Sequence, residues 1–132
     1  MVEGTLTIAT EEKEAVRDIT DQVAAWVREC APKEAGALLL YAAHTTVGLT
    51  VADLDPGTDL DLLEAWRAMV PRLRYRHPHD PSHVGDHILS ALMGVSLTVP
   101  LSRGAPVLGT WQRMVLVEFD GPRTRTVHLR AW

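Results

Sequence analysis

The chain has 132 residues, of which 46% are hydrophobic, and a formal net charge of −4. This length is typical of one domain, so we expect a single domain over residues 1–132. Mild acidity argues against nucleic-acid binding, because neutralising phosphates requires a basic patch. With one cysteine, Cys30, no intramolecular disulfide can form. Without a signal peptide or a bilayer-spanning apolar run, we expect a cytoplasmic protein with no membrane partner.

The first part of the chain predicts strands around one helix. Alternating or continuous apolar residues predict four strands, at Thr5–Ala9, Val16–Ile19, Gly36–Ala43 and Thr45–Val51. Thr20 precedes an apolar helical pattern and is predicted to be its N-cap, and Pro32 lies beyond the end of that helix.

The second part of the chain predicts two further helices followed by strands. Thr58 is predicted to cap a helix that Pro71 ends, and another helix is predicted between Ser82 and Gly94. Three strands complete the chain, at Ser96–Leu101, Thr110–Phe119 and Arg123–Leu129. The order predicts an α+β domain, a mostly antiparallel sheet packed with two to three helices.

Four of the six histidines lie within eleven residues of one another: His77, His79, His83 and His87. Histidine is the commonest transition-metal ligand. In a helix, His83 and His87 would lie one turn apart on one face, a spacing that can chelate a metal. The alternative is a solvated polar loop running into a helix.

His44 ends a predicted strand and precedes two threonines, Thr45 and Thr46. Their hydroxyls could bind a phosphate or carboxylate beside the imidazole, although a buried histidine that finds a local partner is the simpler interpretation.

Glu118 shares one face of its predicted strand with Met114 and Leu116. Burial there would raise the pKa of its carboxyl and suit it to proton transfer. The alternative is an ion pair with Arg123 or Arg125 across the hairpin, and arginine in turn suits phosphate recognition.

Several segments together resemble the YjbQ family, members of which are described as secondary thiamine-phosphate synthases. They are HTTVGLTV (44–51), DLDP (53–56), YRH (75–77), GDHILSALMGVSLTVPL (85–101), GTWQ (109–112) and EFDGPRTR (118–125). The resemblance covers essentially the whole chain and implies the YjbQ-like α+β fold and a homotrimer.

The resemblance also implies functional residues. It assigns metal binding to His44, His77 and His87, and thus selects His87 over His83. Catalytic roles fall on Glu118, His87 and His44, and phosphate or substrate binding on Thr45, Thr46, Arg123, Thr110, Trp111 and Gln112. The implied cofactor is a divalent metal, zinc or magnesium. One departure is that members carry an Asn-Glu pair where this chain has Ala52 and Asp53.

The implied reaction joins a pyrimidine pyrophosphate to a thiazole phosphate and releases pyrophosphate, or is a related reaction on a small phosphorylated metabolite. The alternative is a non-catalytic trimeric protein that binds a metal or an anionic metabolite. A third interpretation, in which the histidines only pack the trimer, fits so polar a cluster least well.

Overall fold

A computed structural model describes all residues, 1–132. It contains eight strands: β1 (Val2–Ala9), β2 (Ala15–Asp18), β3 (Ala37–Ala42), β4 (Val47–Ala52), β5 (Ser96–Ser102), β6 (Ala105–Pro106), β7 (Arg113–Glu118) and β8 (Thr124–Ala131). Its helices are α1 (Thr20–Cys30), α2 (Thr58–Ala68) and α3 (Val84–Met93), and a 3-10 turn at Pro81–His83 leads into α3. None of the helices is long and apolar enough to span a bilayer.

The strands form two antiparallel sheets. The first has the order β1-β8-β3-β5-β6 and the second the order β2-β7-β4. Alternate residues of β3 and β8 are buried and meet the second sheet in one core of 17 residues, among them Leu38, Leu40, Leu116, Val127 and Leu129. The predicted α+β class with a mostly antiparallel sheet is therefore confirmed, and its strands are divided between two packed sheets.

Strand β7 is buried on both faces. Met114 and Leu116 join the main core, whereas Val115, Val117 and Phe119 pack with Leu89 of α3 in a second cluster. Partly buried residues of α2, including Leu63 and Trp66, complete that second cluster. Helices α2 and α3 thus cover the outer face of the second sheet, and both packing layers meet at β7.

The predicted helix caps are wrong. The hydroxyl of Thr20 accepts a hydrogen bond from the Met114 N–H at 2.8 Å, so it links α1 to β7 instead of capping α1. The carboxylate of Asp18 accepts from the Thr20 N–H at 3.0 Å. Thr58 is the first residue of α2, preceded by Gly57 at a φ of 89°, a conformation that favours glycine. The short strand β6 carries no periodic signal and was not predicted.

Candidate functional site

One cleft of about 390 Å³ gathers five of the ten predicted site residues. It is lined from three parts of the chain: His44, Thr45 and Thr46 before β4, His83 and His87 around the start of α3, and Asp120, Arg123 and Arg125 around the β7–β8 connection. The cleft contains His44, His87 and Arg123, which the resemblance implies as site residues, whereas His77 and Glu118 are not among the residues that line it.

Strand register explains why these segments meet. Val47, the first residue of β4, pairs with Glu118, the last residue of β7. The residues just before β4 therefore lie beside the connection that leads from β7 into β8. Helix α3 is held against the same strand, because the hydroxyl of Ser90 donates to the Val47 carbonyl at 2.6 Å. Gly48 permits this approach, since a Cβ there would lie 2.3 Å from Sδ of Met93.

Three imidazoles form a cluster at this cleft. Single ring nitrogens of His77, His83 and His87 all lie within 4.8 Å of one another. The His87 ring centroid is 4.8 Å from each of the other two. His44 is outside the cluster and His83 is inside it, so the ligand set implied by the resemblance differs from this one. His79 is exposed, has a φ of 73°, and does not take part.

A hydrogen bond orients the ring of His87, and a contact with a carboxylate lies beside the ring of His83. Nδ1 of His87 lies 3.0 Å from the Thr45 carbonyl, which can only accept, so Nδ1 carries a proton and the lone pair of a neutral ring lies on Nε2. Nδ1 of His83 lies 3.0 Å from Asp86, and Nε2 of the same ring lies 3.6 Å from Asp120. A carbonyl or carboxylate bonded to the second ring nitrogen is the usual support of a metal-binding histidine.

Asp86 is buried, with 3% of its surface exposed, and is paired with two cations. Lys13 lies 2.7 Å from one of its oxygens and Arg67 lies 3.0 Å from the other. Asp86 also belongs to a second metal-compatible group with His83 and Asp120. Because Lys13 and Arg67 already balance its charge, Asp86 is better suited to orienting His83 than to binding an ion.

His44 presents a donor to the cleft. Its Nε2 accepts a hydrogen bond from the Thr126 N–H at 3.0 Å, which places the ring proton on Nδ1. Burial and the neighbouring Arg125 guanidinium lower the pKa of His44, so the ring is neutral near pH 7. In this orientation neither nitrogen of the neutral ring offers a free lone pair to a metal, so the ligand role that the resemblance implies for His44 would require the ring to reorient.

Glu118 is fully buried in an ion pair with Arg125. Nε of Arg125 donates to one carboxylate oxygen at 2.8 Å, and the Thr10 hydroxyl donates to the same oxygen at 2.7 Å. Burial by itself raises the pKa of Glu118, but the hydrogen bonds from Arg125, Thr10 and the Asp120 N–H outweigh it and leave that pKa below its ordinary value. The predicted rise in pKa is wrong, and the alternative of an Arg125 ion pair is confirmed.

Arg123 lies at the cleft but is tied to a carboxylate. Its Nη2 lies 3.2 Å from Asp120, and its Nε donates to the Asp120 carbonyl at 2.9 Å. Burial by itself raises the pKa of Asp120. The hydrogen bonds from Arg123 and Lys13 lower this pKa by more than burial raises it, so the pKa of Asp120 is below its ordinary value.

The structure does not bring the GTWQ residues to this cleft. Thr110 and Trp111 line a separate pocket with Asp53, and the Gln112 amide oxygen accepts from the Gly109 N–H at 2.8 Å. They precede β7, whereas the cleft is at the other end of this six-residue strand, about 16 Å away. Within one chain, these three residues therefore do not line the cleft that contains His44 and His87. Asp53 likewise does not reach the histidines.

Three supporting side chains were not predicted from the sequence. They are Asp86, Lys13, and Arg125 in its role as the hydrogen-bond partner of Thr46. Nη2 of Arg125 donates to the Thr46 hydroxyl at 2.7 Å. Arg125 was predictable in part, because its alternation with Arg123 was visible. Asp86 and Lys13 are 73 positions apart, and no local pattern signals such a contact.

The fold and the cleft define a class: two-sheet α+β proteins with a histidine cluster at the end of the smaller sheet. The family model described as "UPF0047 protein YjbQ-like" matches residues 4–132, and the chain belongs to that family. A UPF0047 protein of Archaeoglobus fulgidus is 39% identical over 96% of this chain and 98% of its own. YugU of Bacillus subtilis is 35% identical, over 96% of each chain.

Solved structures confirm the YjbQ-like fold. A hypothetical protein from Aeropyrum pernix matches with a TM-score of 0.90 at 33% identity, over 100% of this chain and 98% of that one. A YbjQ-like protein of unknown function from Sulfolobus solfataricus matches with a TM-score of 0.89 at 28% identity, over 97% of this chain and 94% of that one.

Proposed function

We propose that the protein binds a divalent transition metal through His77, His83 and His87 and acts on a small phosphorylated metabolite. The observation that carries this proposal is the approach of three ring nitrogens to within 4.8 Å, together with the hydrogen bond of His87 to the Thr45 carbonyl and the contact of His83 with Asp86. A tetrahedral zinc site places its nitrogen ligands about 3.4 Å apart, so small side-chain movements suffice to close the cluster.

The donor set favours zinc over magnesium. Imidazole nitrogen suits zinc, whereas magnesium prefers oxygen ligands and retains water. The carboxylates nearest the cluster, Asp86 and Asp120, are each paired with Lys13 and a guanidinium. A bound metal ion would stabilise negative charge that develops on phosphoryl oxygens.

For catalysis, the leading candidate is the reaction of a secondary thiamine-phosphate synthase, which releases pyrophosphate. His44 can donate a hydrogen bond to the substrate through Nδ1–H, and Arg125 and Thr46 lie beside it. Glu118 holds Arg125 in place and is not free to accept a proton. We further propose a homotrimer, as the family resemblance implies.

A second candidate is a non-catalytic protein that binds a metal or an anionic metabolite. Two observations favour it: Glu118 is held in an ion pair, and Asp53 lies in a separate pocket. The cleft then has no unpaired carboxylate placed to act as a general base.

Metal analysis of single variants tests the proposed site. The protein is loaded with zinc, dialysed, and assayed for bound metal and for zinc affinity. We expect His77→Ala, His83→Ala and His87→Ala each to lose at least tenfold in affinity, because each removes a ligand. His44→Ala distinguishes this ligand set from the one implied by the resemblance, which contains His44. We expect the His44→Ala variant to retain zinc.

His79→Ala is the matched control, since His79 is in the same segment but outside the cluster. Unchanged zinc binding in the His83 variant would contradict the proposed ligand set. Turnover of a pyrimidine pyrophosphate with a thiazole phosphate, followed as released pyrophosphate, then separates an enzyme from a binder. Zinc binding without turnover of these or other phosphorylated substrates would favour the binder.

A further inference from the structure

Arg125 carries one guanidinium nitrogen that the chain does not use. Its Nε and Nη2 donate to Glu118 and Thr46, whereas Nη1 donates no hydrogen bond. Among polar side-chain atoms fully excluded from solvent, only Nη2 of Arg67 lacks a hydrogen bond, so Nη1 of Arg125, which has none either, is accessible to solvent. Arg125 is only 4% exposed and lines the cleft, which is therefore where Nη1 meets solvent.

Two further donors lie in the same cleft. The hydroxyl oxygen of Thr46 accepts from Arg125, and its proton is not used within the chain. Nδ1–H of His44 is likewise without a partner, because Nε2 is the nitrogen that accepts from Thr126. Thr46 is 6% exposed, so its hydroxyl position is set by packing. The three groups are donors held in place before any ligand arrives.

The charges around these donors favour an anion. The cleft is lined by two guanidinium groups, Arg123 and Arg125, and by one carboxylate, Asp120. That carboxylate is paired with Arg123 and Lys13. Glu118 lies fully buried and is joined to Arg125 through Nε and Nη2, the nitrogens other than Nη1.

We propose that Nη1 of Arg125, the Thr46 hydroxyl and Nδ1–H of His44 form a binding site for a phosphoryl group beside the histidine cluster. This site deepens the proposed function and rests on it for the substrate class, but it needs no metal to bind an anion. It places the phosphate contact on Arg125, whereas the family resemblance places it on Arg123.

The geometry favours a phosphoryl group over a carboxylate. A planar carboxylate is recognised best by two parallel N–H groups of one guanidinium. Glu118 already occupies that paired edge of Arg125, through Nε and Nη2. The remaining donors come from different side chains, on the segment before β4 and on β8. Such separated donors suit the several oxygens of a tetrahedral anion.

Phosphate titration of the metal-free protein tests this site. Inorganic phosphate is titrated calorimetrically into chelator-treated protein, with acetate as the planar comparison and pyrophosphate as the extended one. We expect phosphate to bind more tightly than acetate. Thr46→Val should weaken phosphate binding about tenfold, because it removes one hydrogen bond to a charged group, while Thr46→Ser should stay within about twofold of the unaltered protein.

Arg130→Gln is the matched control, because Arg130 is an exposed arginine of the same strand, paired at 3.5 Å with Glu3. It removes a positive charge without touching the cleft and should leave phosphate affinity unchanged. Arg125→Lys should reduce affinity at least tenfold. Loss of the ion pair with Glu118 could unfold the Arg125→Lys variant, which circular dichroism would detect. In that case the comparison of Thr46→Val with Thr46→Ser decides the proposal.

Equal affinity in Thr46→Val and the unaltered protein would overturn the proposal, as would equal losses in Thr46→Val and Arg130→Gln. Absence of phosphate binding in the metal-free protein would also overturn it, and would leave the zinc measurements untouched. Conversely, phosphate binding without zinc binding would remove the metal from the proposed function and keep this site.

Discussion

At the scale of single residues, the pairing of Glu118 with Arg125 decides what the cleft can do. Glu118 is fully buried and receives hydrogen bonds from Arg125, Thr10 and the Asp120 N–H. Such a carboxylate stays ionised, so its role is to position the guanidinium. The same strand position without Arg125 would be a buried acid with a raised pKa, as its apolar neighbours alone suggest.

Glu118→Gln is expected to destabilise the fold by about 3 kcal/mol at pH 7, because it leaves a buried guanidinium without its counter-charge. The pKa of Glu118 is lower in the folded protein than its ordinary value of 4.5. The stabilisation is therefore present above about pH 4.5 and is lost as the pH falls through the lower, folded-state pKa. Urea unfolding at several pH values measures the difference in the free energy of unfolding between the two proteins.

Glu3→Gln serves as the control, since Glu3 is an exposed partner of Arg130 and its removal should change stability little. A difference between Glu118→Gln and the unaltered protein that stays constant from pH 7 to pH 3 would contradict the ion-pair assignment.

At the scale of elements, the position of α3 on β4 brings the histidines to the cleft. Two residues of this helix contact β4. The side chain of Met93 packs against Gly48, and the hydroxyl of Ser90 donates a hydrogen bond to the Val47 carbonyl. The helix was predictable from its apolar spacing, and it occurs within the predicted range, with a short 3-10 turn before it. The strand on which α3 packs was not predictable, because the Ser90–Val47 hydrogen bond joins residues 43 positions apart.

Ser90→Ala is expected to cost about 1 kcal/mol of stability, since it removes a buried hydrogen bond. Zinc affinity should fall several-fold as well, because His87 lies one turn earlier on the same helix. Thermal unfolding and zinc titration of the same preparation measure both effects. Ser96→Ala, at an exposed serine of β5, is the control. Loss of stability with unchanged zinc affinity would show that the cluster does not depend on this contact.

At the scale of the whole molecule, we expect three copies of the chain to associate. Large aromatic side chains remain exposed in the single chain, with Trp111 71% and Trp132 53% accessible. Because the family resemblance implies a homotrimer, light scattering after size-exclusion chromatography should give three times the 14.6 kDa of one chain, independent of loading concentration. A mass of one chain at every concentration would contradict the trimer.

The sequence by itself determined the family, the fold class and most of the elements. The spacing of apolar residues is a property of a short segment, so β3, β7 and α3 could be predicted from residues that are neighbours in the sequence. The family resemblance also implied His44, His87 and Arg123 as site residues, and the structure places all three at one cleft.

Only the tertiary structure decided which groups are free to bind. Whether His44 is a ligand or a donor depends on the Thr126 N–H, which belongs to a strand 82 positions away. Whether Glu118 is a base depends on Arg125, and His83, which contacts Asp86, lies beside His77 and His87 only in the folded chain. The physical reason is that protonation and tautomer follow from hydrogen-bond partners, and strand register brings distant residues together as partners.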